Sequence, residues 1–87
     1  MVNIAFFGTP TFAVPTLKRL VATGANVSIV VTQPDRRRGR GHHVEFSAVK
    51  ELALAYNIPV LQPNSAKDSN FIAQLSDRSP DLGVVVA

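Results

Sequence analysis

The sequence contains no cysteine, which excludes a disulfide-stabilised scaffold and a metal site built on thiolates. No apolar run approaches the roughly 20 residues that a membrane-spanning helix needs. The first seven residues lack the basic start of a secretory signal peptide. The six prolines and five glycines are dispersed along the chain, which excludes a collagen-like repeat. We therefore expect a protein of a reducing cytoplasm with no membrane association.

The 87 residues suffice for one domain at most, because compact domains usually hold about 100–150 residues. Hydrophobic residues make up 46% of the chain and charged residues 17%, which is typical of a globular protein and excludes a disordered segment or a coiled coil. The net charge of +3 is unevenly distributed, since four of the six arginines lie between Arg36 and Arg40.

Short β-branched runs alternate with segments of helical period, a pattern typical of an α/β protein with a parallel sheet. The runs predict three helices and four strands, the strands at residues 3–7, 27–31, 58–61 and 82–87. Pro15 suits the first turn of the first helix and Gly24 its end, while Ser47 and Asp68 can cap the second and third helices. Right-handed crossovers then predict a Rossmann-like half-sheet of four parallel strands, in the order 3-2-1-4, truncated after the fourth strand.

The fourth strand has the composition of an interior strand, yet the sequence ends directly after it. Pro59 places the third strand near the opposite edge, because proline cannot donate a ladder hydrogen bond. A small sheet with an open apolar edge favours association through unpaired backbone groups. We therefore interpret residues 1–87 as the incomplete N-terminal part of a longer catalytic domain, and expect this piece to associate through its open edge.

The connection between the second strand and the second helix is a basic segment, residues 34–45, in which the apolar pattern stops. Such connections normally take about 2–6 residues, and long ordered loops are often functional. We predict a loop here that binds nucleic acid through four arginines and two histidines: Arg36, Arg37, Arg38, Arg40, His42 and His43. Guanidinium groups bind phosphate oxygens bidentately and also contact base edges.

From the arginines alone, a merely solvated run of charge is an equally good interpretation of this segment. The length of the segment, and the glycines at positions 39 and 41 around Arg40, favour nucleic acid. His42 and His43 lack an orienting partner and a third metal ligand nearby, so we expect auxiliary phosphate contacts from them, with neither catalysis nor metal binding.

The turn after the first strand departs from the dinucleotide-binding fingerprint. Pro10 occupies the place of the second glycine and Ala13 that of the third, and no acidic residue ends the second strand, so we expect neither NAD nor FAD. No P-loop is present either. Ligands of open parallel sheets bind at the carboxyl ends of the strands where the strand order reverses. Gly8, Thr9 and Pro10 are thus predicted to line a crevice, with a plain tight turn as the alternative.

Several segments, taken in order, closely resemble the N-terminal part of the methionyl-tRNA formyltransferase family: GTPTFAVP (8–15), VTQPD (31–35), GRG (39–41), VKELA (49–53), IPV (58–60), QP (62–63) and PDLGVVVA (80–87). The resemblance covers essentially the whole chain. Two departures occur near the basic segment: His42 and His43 stand where the family has lysines, and FSAVK (46–50) stands where it has Pro-Ser-Pro-Val-Lys, which leaves the exit of the loop less rigid.

The resemblance implies an enzyme of translation initiation that transfers a formyl group from 10-formyltetrahydrofolate to the α-amino group of methionyl-initiator tRNA, without a metal. It also implies that the basic segment contacts the acceptor end of the tRNA, with Arg40 as the arginine between two glycines. The family's catalytic Asn-His-Asp set and its Ser-Leu-Leu-Pro segment fall after Ala87. We therefore expect no catalytic residue within residues 1–87, no formyl transfer by this chain alone, and a monomeric parent enzyme.

Three alternatives stay open at this point. A formyltransferase acting on an amino sugar or another amine would share the folate chemistry, although it would not need the arginine-rich segment. A stand-alone nucleic-acid-binding module would use the sheet only as a scaffold. A proteolysed or crystallised fragment is compatible with the enzyme interpretation.

Overall fold

The computed structural model describes residues 2–9, 11–38, 43–65 and 67–86. Its helices are α1 (Val14–Ala22), which a short 3-10 turn precedes, α2 (Ala48–Ala55) and α3 (Ser69–Asp77). Its strands are β1 (Asn3–Gly8), β2 (Asn26–Val31), β3 (Arg36–Arg38), β4 (His43–Glu45), β5 (Val60–Leu61) and β6 (Leu82–Val86). β3 and β4 are described by their backbone alone.

The main sheet consists of four parallel strands in the order β5-β2-β1-β6. This is the predicted order 3-2-1-4, which is therefore confirmed. β1 lies between β2 and β6, and the register with β6 runs from Ile4↔Leu82 to Gly8↔Val86. Pro59 precedes β5, which pairs only with β2 within the described ranges, so its missing donor falls at an edge as expected.

The main core lies where α1 and α2 pack against the sheet. Its buried members come from both helices and from the neighbouring strands and turns: Phe6, Ala13, Leu17, Val27, Val30, Val49, Ala53 and Ile58. α3 buries Phe71 outside this cluster. Right-handed crossovers on the two sides of β1 account for this separation, because they place helices on opposite faces of a sheet.

The residues predicted to cap α2 and α3 do so. The Ser47 Oγ accepts a hydrogen bond of 3.0 Å from the Lys50 backbone N, and the Asp68 Oδ1 accepts from the backbone N of Asn70 at 2.8 Å and of Phe71 at 3.3 Å. Each side chain satisfies amide groups that have no partner within the helix. The starts of both helices are therefore fixed by local sequence.

Both ends of α1 also match the sequence prediction. Pro15 lies in the first turn, and Gly24 follows the helix with a φ of 82°. The backbone N of Gly24 donates to the Val21 carbonyl, and the N of Ala25 donates to the Leu20 carbonyl, each at 3.1 Å. This is the Schellman arrangement, which requires the left-handed conformation that glycine adopts without strain.

Part of the basic segment, which the sequence predicts to be a loop, forms two short strands. β3 and β4 pair antiparallel, with Arg36↔Glu45, Arg37↔Val44 and Arg38↔His43 opposite each other. Residues 39–42, which join the two strands in sequence, lie outside the described residues. The sequence did not predict these two strands, because an antiparallel ladder satisfies backbone groups without any apolar periodicity. We call β3 and β4 together, residues 36–38 and 43–45, the basic hairpin.

Candidate nucleic-acid interface

The basic hairpin leaves the main sheet at the carboxyl end of β2 and returns to the start of α2. This is the edge of the sheet at which open α/β proteins bind their ligands. Asp35 is the last residue before the hairpin and Phe46 is the first residue after it. The hairpin is therefore attached to the body of the protein through these two positions.

The carboxylate of Asp35 holds the entry of the hairpin. Lys50 Nζ donates to Asp35 Oδ2 at 2.7 Å, and Gln62 Nε2 donates to Asp35 Oδ1 at 2.6 Å. Gln62 Nε2 also donates to the Gln33 carbonyl at 3.1 Å. Since Lys50 belongs to α2 and Gln62 follows β5, the carboxylate joins the hairpin to two separate elements of the fold.

This ion pair is partly buried, since the side chains of Lys50 and Asp35 are 13% and 21% exposed. The pKa of Asp35 lies below its ordinary value of 3.8, chiefly because Lys50 donates a hydrogen bond to the carboxylate. Partial burial opposes this lowering, while the hydrogen bond from Gln62 and the charge of Lys50 add to it. Asp35 is therefore ionised at neutral pH and retains both hydrogen bonds there.

The lowered pKa of Asp35 makes the unfolding free energy depend on pH. Because the folded carboxyl binds its proton less tightly than the unfolded one, its contribution to stability is complete above pH 3.8 and is lost as the pH falls through the folded-state pKa. We expect an NMR titration of the Asp35 carboxyl carbon to give a pKa below 3.8 in the wild type and a raised pKa in Lys50→Met.

Asp35→Asn is the matched control for this titration, because asparagine keeps the shape of the side chain without a titrating carboxyl. Its unfolding free energy should fall less than that of the wild type between about pH 5 and about pH 2. An Asp35 pKa at its ordinary value in the wild-type chain would contradict the ion pair.

The Phe46 ring holds the exit of the hairpin against the same lysine. Lys50 Nζ lies 3.8 Å from the centroid of this ring, within the range of a cation–π interaction. One ammonium group thus contacts the residue before the hairpin and the residue after it. The sequence lacks rigidity at this exit, and the contact between Lys50 and the Phe46 ring supplies it.

A chain of hydroxyl groups joins the ends of β1 and β2 to the start of α2. Thr9 Oγ1 and Thr32 Oγ1 are 2.9 Å apart, and Thr32 Oγ1 lies 3.2 Å from Ser47 Oγ. Thr9 Oγ1 also accepts from the Gln33 backbone N at 2.9 Å. Thr32 is buried, so these bonds satisfy a hydroxyl that would otherwise be costly to bury. The ends of β1 and β2 are thereby locked to the start of α2.

The comparison with known families decides which family this fold represents. A family model described as formyl transferase matches residues 2–87. The chain belongs to the formyl transferase family.

Curated relatives of this formyl transferase chain carry a narrower name. A methionyl-tRNA formyltransferase of Caldanaerobacter subterraneus subsp. tengcongensis is 54% identical over 86 residues, and one of Thermodesulfovibrio yellowstonii is 46% identical over 85 residues. Each alignment covers 98% of this chain and 28% of the relative. A methionyl-tRNA formyltransferase of Synechococcus elongatus is 52% identical over 87 residues, which is 27% of its length. The chain thus spans little more than a quarter of the relatives it matches.

The predicted phosphate-binding residues of this formyl transferase chain fall largely within the basic hairpin. Arg36, Arg37 and Arg38 form β3, and His43 is the first residue of β4, so the fold brings these four together. Arg40 and His42 lie outside the described residues. For the chain regions that the structure describes, no helix is long and apolar enough to cross a membrane. No group of three His, Cys, Asp or Glu residues in those regions could hold a metal ion.

The predicted crevice residues lie at the end of β1. Gly8 is the last residue of that strand and pairs with Val86 of β6, which is the point where the strand order reverses. A side-chain carbon at Gly8 would lie 3.0 Å from the Phe6 ring and 3.1 Å from Ala13 Cβ. Close packing therefore explains this glycine. The Thr9 hydroxyl is engaged with Thr32 and Gln33, directly after β2, and Pro10 lies outside the described residues.

Sequence reasoning missed the residues that anchor the hairpin. Asp35, Lys50 and Gln62 all lie within segments that carry the family resemblance, in VTQPD, VKELA and QP. Their presence in those segments was a signal, but nothing in the order of the sequence joins an aspartate to a lysine 15 residues away and a glutamine 27 residues away.

Proposed function

We propose that this chain is the tRNA-holding N-terminal part of a methionyl-tRNA formyltransferase acting in translation initiation in the cytoplasm. Its reaction joins the α-amino nitrogen of methionyl-initiator tRNA to the formyl carbon of 10-formyltetrahydrofolate. The bond between that carbon and the folate nitrogen breaks, and the proton lost by the amine is balanced by the proton gained by the folate nitrogen. The products are formylmethionyl-tRNA and tetrahydrofolate.

The observation that carries this proposal is the basic hairpin, with three consecutive arginines in β3, attached at the carboxyl edge of a parallel sheet. Arginines bind RNA phosphates through charge and paired hydrogen bonds. The major groove of an A-form helix is too deep and narrow for side chains to read, but an open helix end with unpaired nucleotides admits a hairpin. The acceptor end of a tRNA offers such an opening.

The names of the relatives point to the same substrate. Proteins 46% and 54% identical to this chain are named for methionyl-tRNA, and the family itself is named for formyl transfer. An enzyme acting on a free amino sugar has no need of a cluster of arginines for phosphates. We therefore favour methionyl-tRNA over an amino sugar as the formyl acceptor.

Residues 1–87 would supply binding, and the rest of the enzyme would supply the bond-making groups. In the described chain, the hydroxyls of Thr9 and Ser47 are engaged in the bonds that join β1, β2 and α2. General acid–base catalysis needs a group free to move a proton at the reacting amine, and oxyanion stabilisation needs donors aimed at the formyl oxygen. We place both among the residues that follow this segment in its relatives.

A chimaeric enzyme tests the proposal. Residues 1–87 of this chain would replace the aligned segment of the Caldanaerobacter relative, with which it shares 54% identity. We expect the chimaera to transfer a formyl group from 10-formyltetrahydrofolate to methionyl-tRNA, because the two aligned segments are 54% identical. The chain alone should transfer none. Formation of formylmethionyl-tRNA, followed with radiolabelled methionine, is the measurement.

The intact relative is the positive control, and an amino sugar replaces methionyl-tRNA as the alternative acceptor. A folded chimaera that formylates only the amino sugar, or an 87-residue chain that is itself a catalyst, would overturn the proposal. Among the described residues, β6 pairs only with β1, and Val85 in this strand is 71% exposed. We also propose that this edge associates in the isolated chain and is covered in a monomeric parent enzyme. Sedimentation equilibrium of the same two proteins should therefore show association for the chain and a monomer for the chimaera.

A further inference from the structure

We infer that Lys50 is a positioning residue, which sets the orientation of the basic hairpin by joining its two ends through one ammonium group. The inference rests on the proposed function, because it concerns how the hairpin is presented to RNA. Lys50 Nζ lies 2.7 Å from Asp35 Oδ2, directly before β3, and 3.8 Å from the centre of the Phe46 ring, directly after β4.

The hairpin needs such a device because the main sheet does not hold it. β3 and β4 form a separate two-stranded sheet, and within the described ranges they pair only with each other. A two-stranded hairpin is marginally stable by itself in water. Its direction relative to the body must therefore be fixed at its base, where Asp35 and Phe46 lie.

Lys50 is suited to this role because its own backbone is fixed. It lies in the first turn of α2, and its backbone N donates to the Ser47 Oγ that caps the helix. Ser47 is in turn bonded to Thr32 at the end of β2. The ammonium group therefore holds both ends of the hairpin in a fixed position relative to the sheet and α2. Gln62 adds a second bond to Asp35 from beyond β5.

The geometry also limits what the ion pair does. A surface salt bridge usually contributes less than about 1 kcal/mol to the unfolding free energy. If stabilisation were the only effect of this pair, its loss would leave the hairpin unaffected. Here the ammonium of Lys50 joins the two ends of the basic hairpin. Its loss should therefore leave the main sheet folded while the hairpin reorients freely. RNA binding should weaken, because the hairpin would then have to be ordered on binding, at a cost in conformational entropy.

Lys50→Met in the 87-residue chain is the decisive variant, since methionine keeps the apolar stem and removes the ammonium. Backbone order parameters from ¹⁵N relaxation should fall in the hairpin from about 0.85 to below about 0.6, and stay unchanged in β1 and β2. Affinity for a fluorescein-labelled RNA minihelix, carrying the acceptor stem and unpaired 3′ end of initiator tRNA, should fall by about tenfold or more in an anisotropy titration.

Two further lysine variants complete the comparison. Lys50→Arg retains a cation that can bind both the carboxylate and the ring, so it should restore the order of the hairpin and the affinity. Lys18→Met removes the same charge from the exposed face of α1 and should change the affinity by less than about twofold at the same salt concentration. If Lys50→Met does not fold, Asp35→Asn removes the charge of one contact and Phe46→Leu removes the aromatic ring of the other, and each should loosen the hairpin partially.

The two measurements separate the inference from the proposed function. Unchanged order parameters in the hairpin of folded Lys50→Met, or of both single-contact variants, would overturn the positioning role whatever the RNA data show. An ordered hairpin in a wild-type chain that fails to bind the minihelix would instead overturn the tRNA-holding function. Equal losses of affinity in Lys50→Met and Lys18→Met would also contradict the inference, because they would show that Lys50 contributes to RNA binding only through its charge.

Discussion

Replacing Arg36, Arg37, Arg38 and Arg40 together with alanine is expected to weaken binding of initiator tRNA by on the order of a hundredfold at low salt. Each phosphate contact releases about 0.7–0.9 of a counterion, so the slope of log affinity against log salt concentration should become shallower by about 3. Anisotropy titrations of the labelled tRNA at several salt concentrations measure both quantities. The loss should be largest at low salt, where screening is weakest.

The chain offers a matched control for this variant. Four cationic residues outside the hairpin are exposed, and their replacement by alanine lowers the net charge equally: Lys18, Arg19, Lys67 and Arg78. This second variant should retain most of the affinity and of the salt dependence, because a specific interface depends on where the charges lie. Equal losses in the two variants would show that the attraction is a property of net charge alone, and would favour the solvated-charge interpretation of the hairpin.

Replacing Gly8 with valine is expected to lower the unfolding free energy by about 3 kcal/mol. The first side-chain carbon would lie 3.0 Å from the Phe6 ring and 3.1 Å from Ala13 Cβ, and both of these residues are fully buried. Valine adds two further methyl groups beside these close contacts. Urea denaturation followed by circular dichroism measures the loss, which should be smaller in Gly8→Ala.

Gly83→Ala is the control for the Gly8 variants. Among the described residues, a side-chain carbon at Gly83 would meet only the Phe7 ring, at 3.6 Å, which is an ordinary contact. Alanine there should be neutral or stabilising by up to about 1 kcal/mol, since glycine in a strand interior is unfavourable. If Gly8→Ala proves as stable as the wild type, packing does not explain this glycine, and a close approach of substrate to the end of β1 becomes the better explanation.

Much of the fold could be predicted from the sequence because local and global signals agree. β-branched runs gave the strands of the main sheet, and the handedness of the crossovers left one plausible strand order. Ser47 and Asp68 stand where helices need acceptors for unpaired amides, and both cap a helix in the structure. Proline at the start of α1 and glycine after its end act through their own backbone restrictions, which no tertiary contact has to supply.

The basic hairpin could not be predicted in the same way. Residues 36–45 show no alternation of apolar and polar side chains, which is the signal by which strands are usually identified. The pairing of Arg36 with Glu45 depends on backbone hydrogen bonds that every residue except proline can make. Only the three-dimensional arrangement distinguishes this ribbon from an irregular loop of the same composition.

The candidate site divides along the same line. The sequence alone determined the parallel half-sheet, the limits of its helices and the cluster of arginines, because each depends on residue type and short-range spacing. The tertiary structure decided that Asp35, Lys50, Gln62 and Phe46 meet at the base of the hairpin, because these contacts join α2 and the end of β5 to one loop. Contacts between distant residues arise only when the sheet assembles, so no local pattern encodes them.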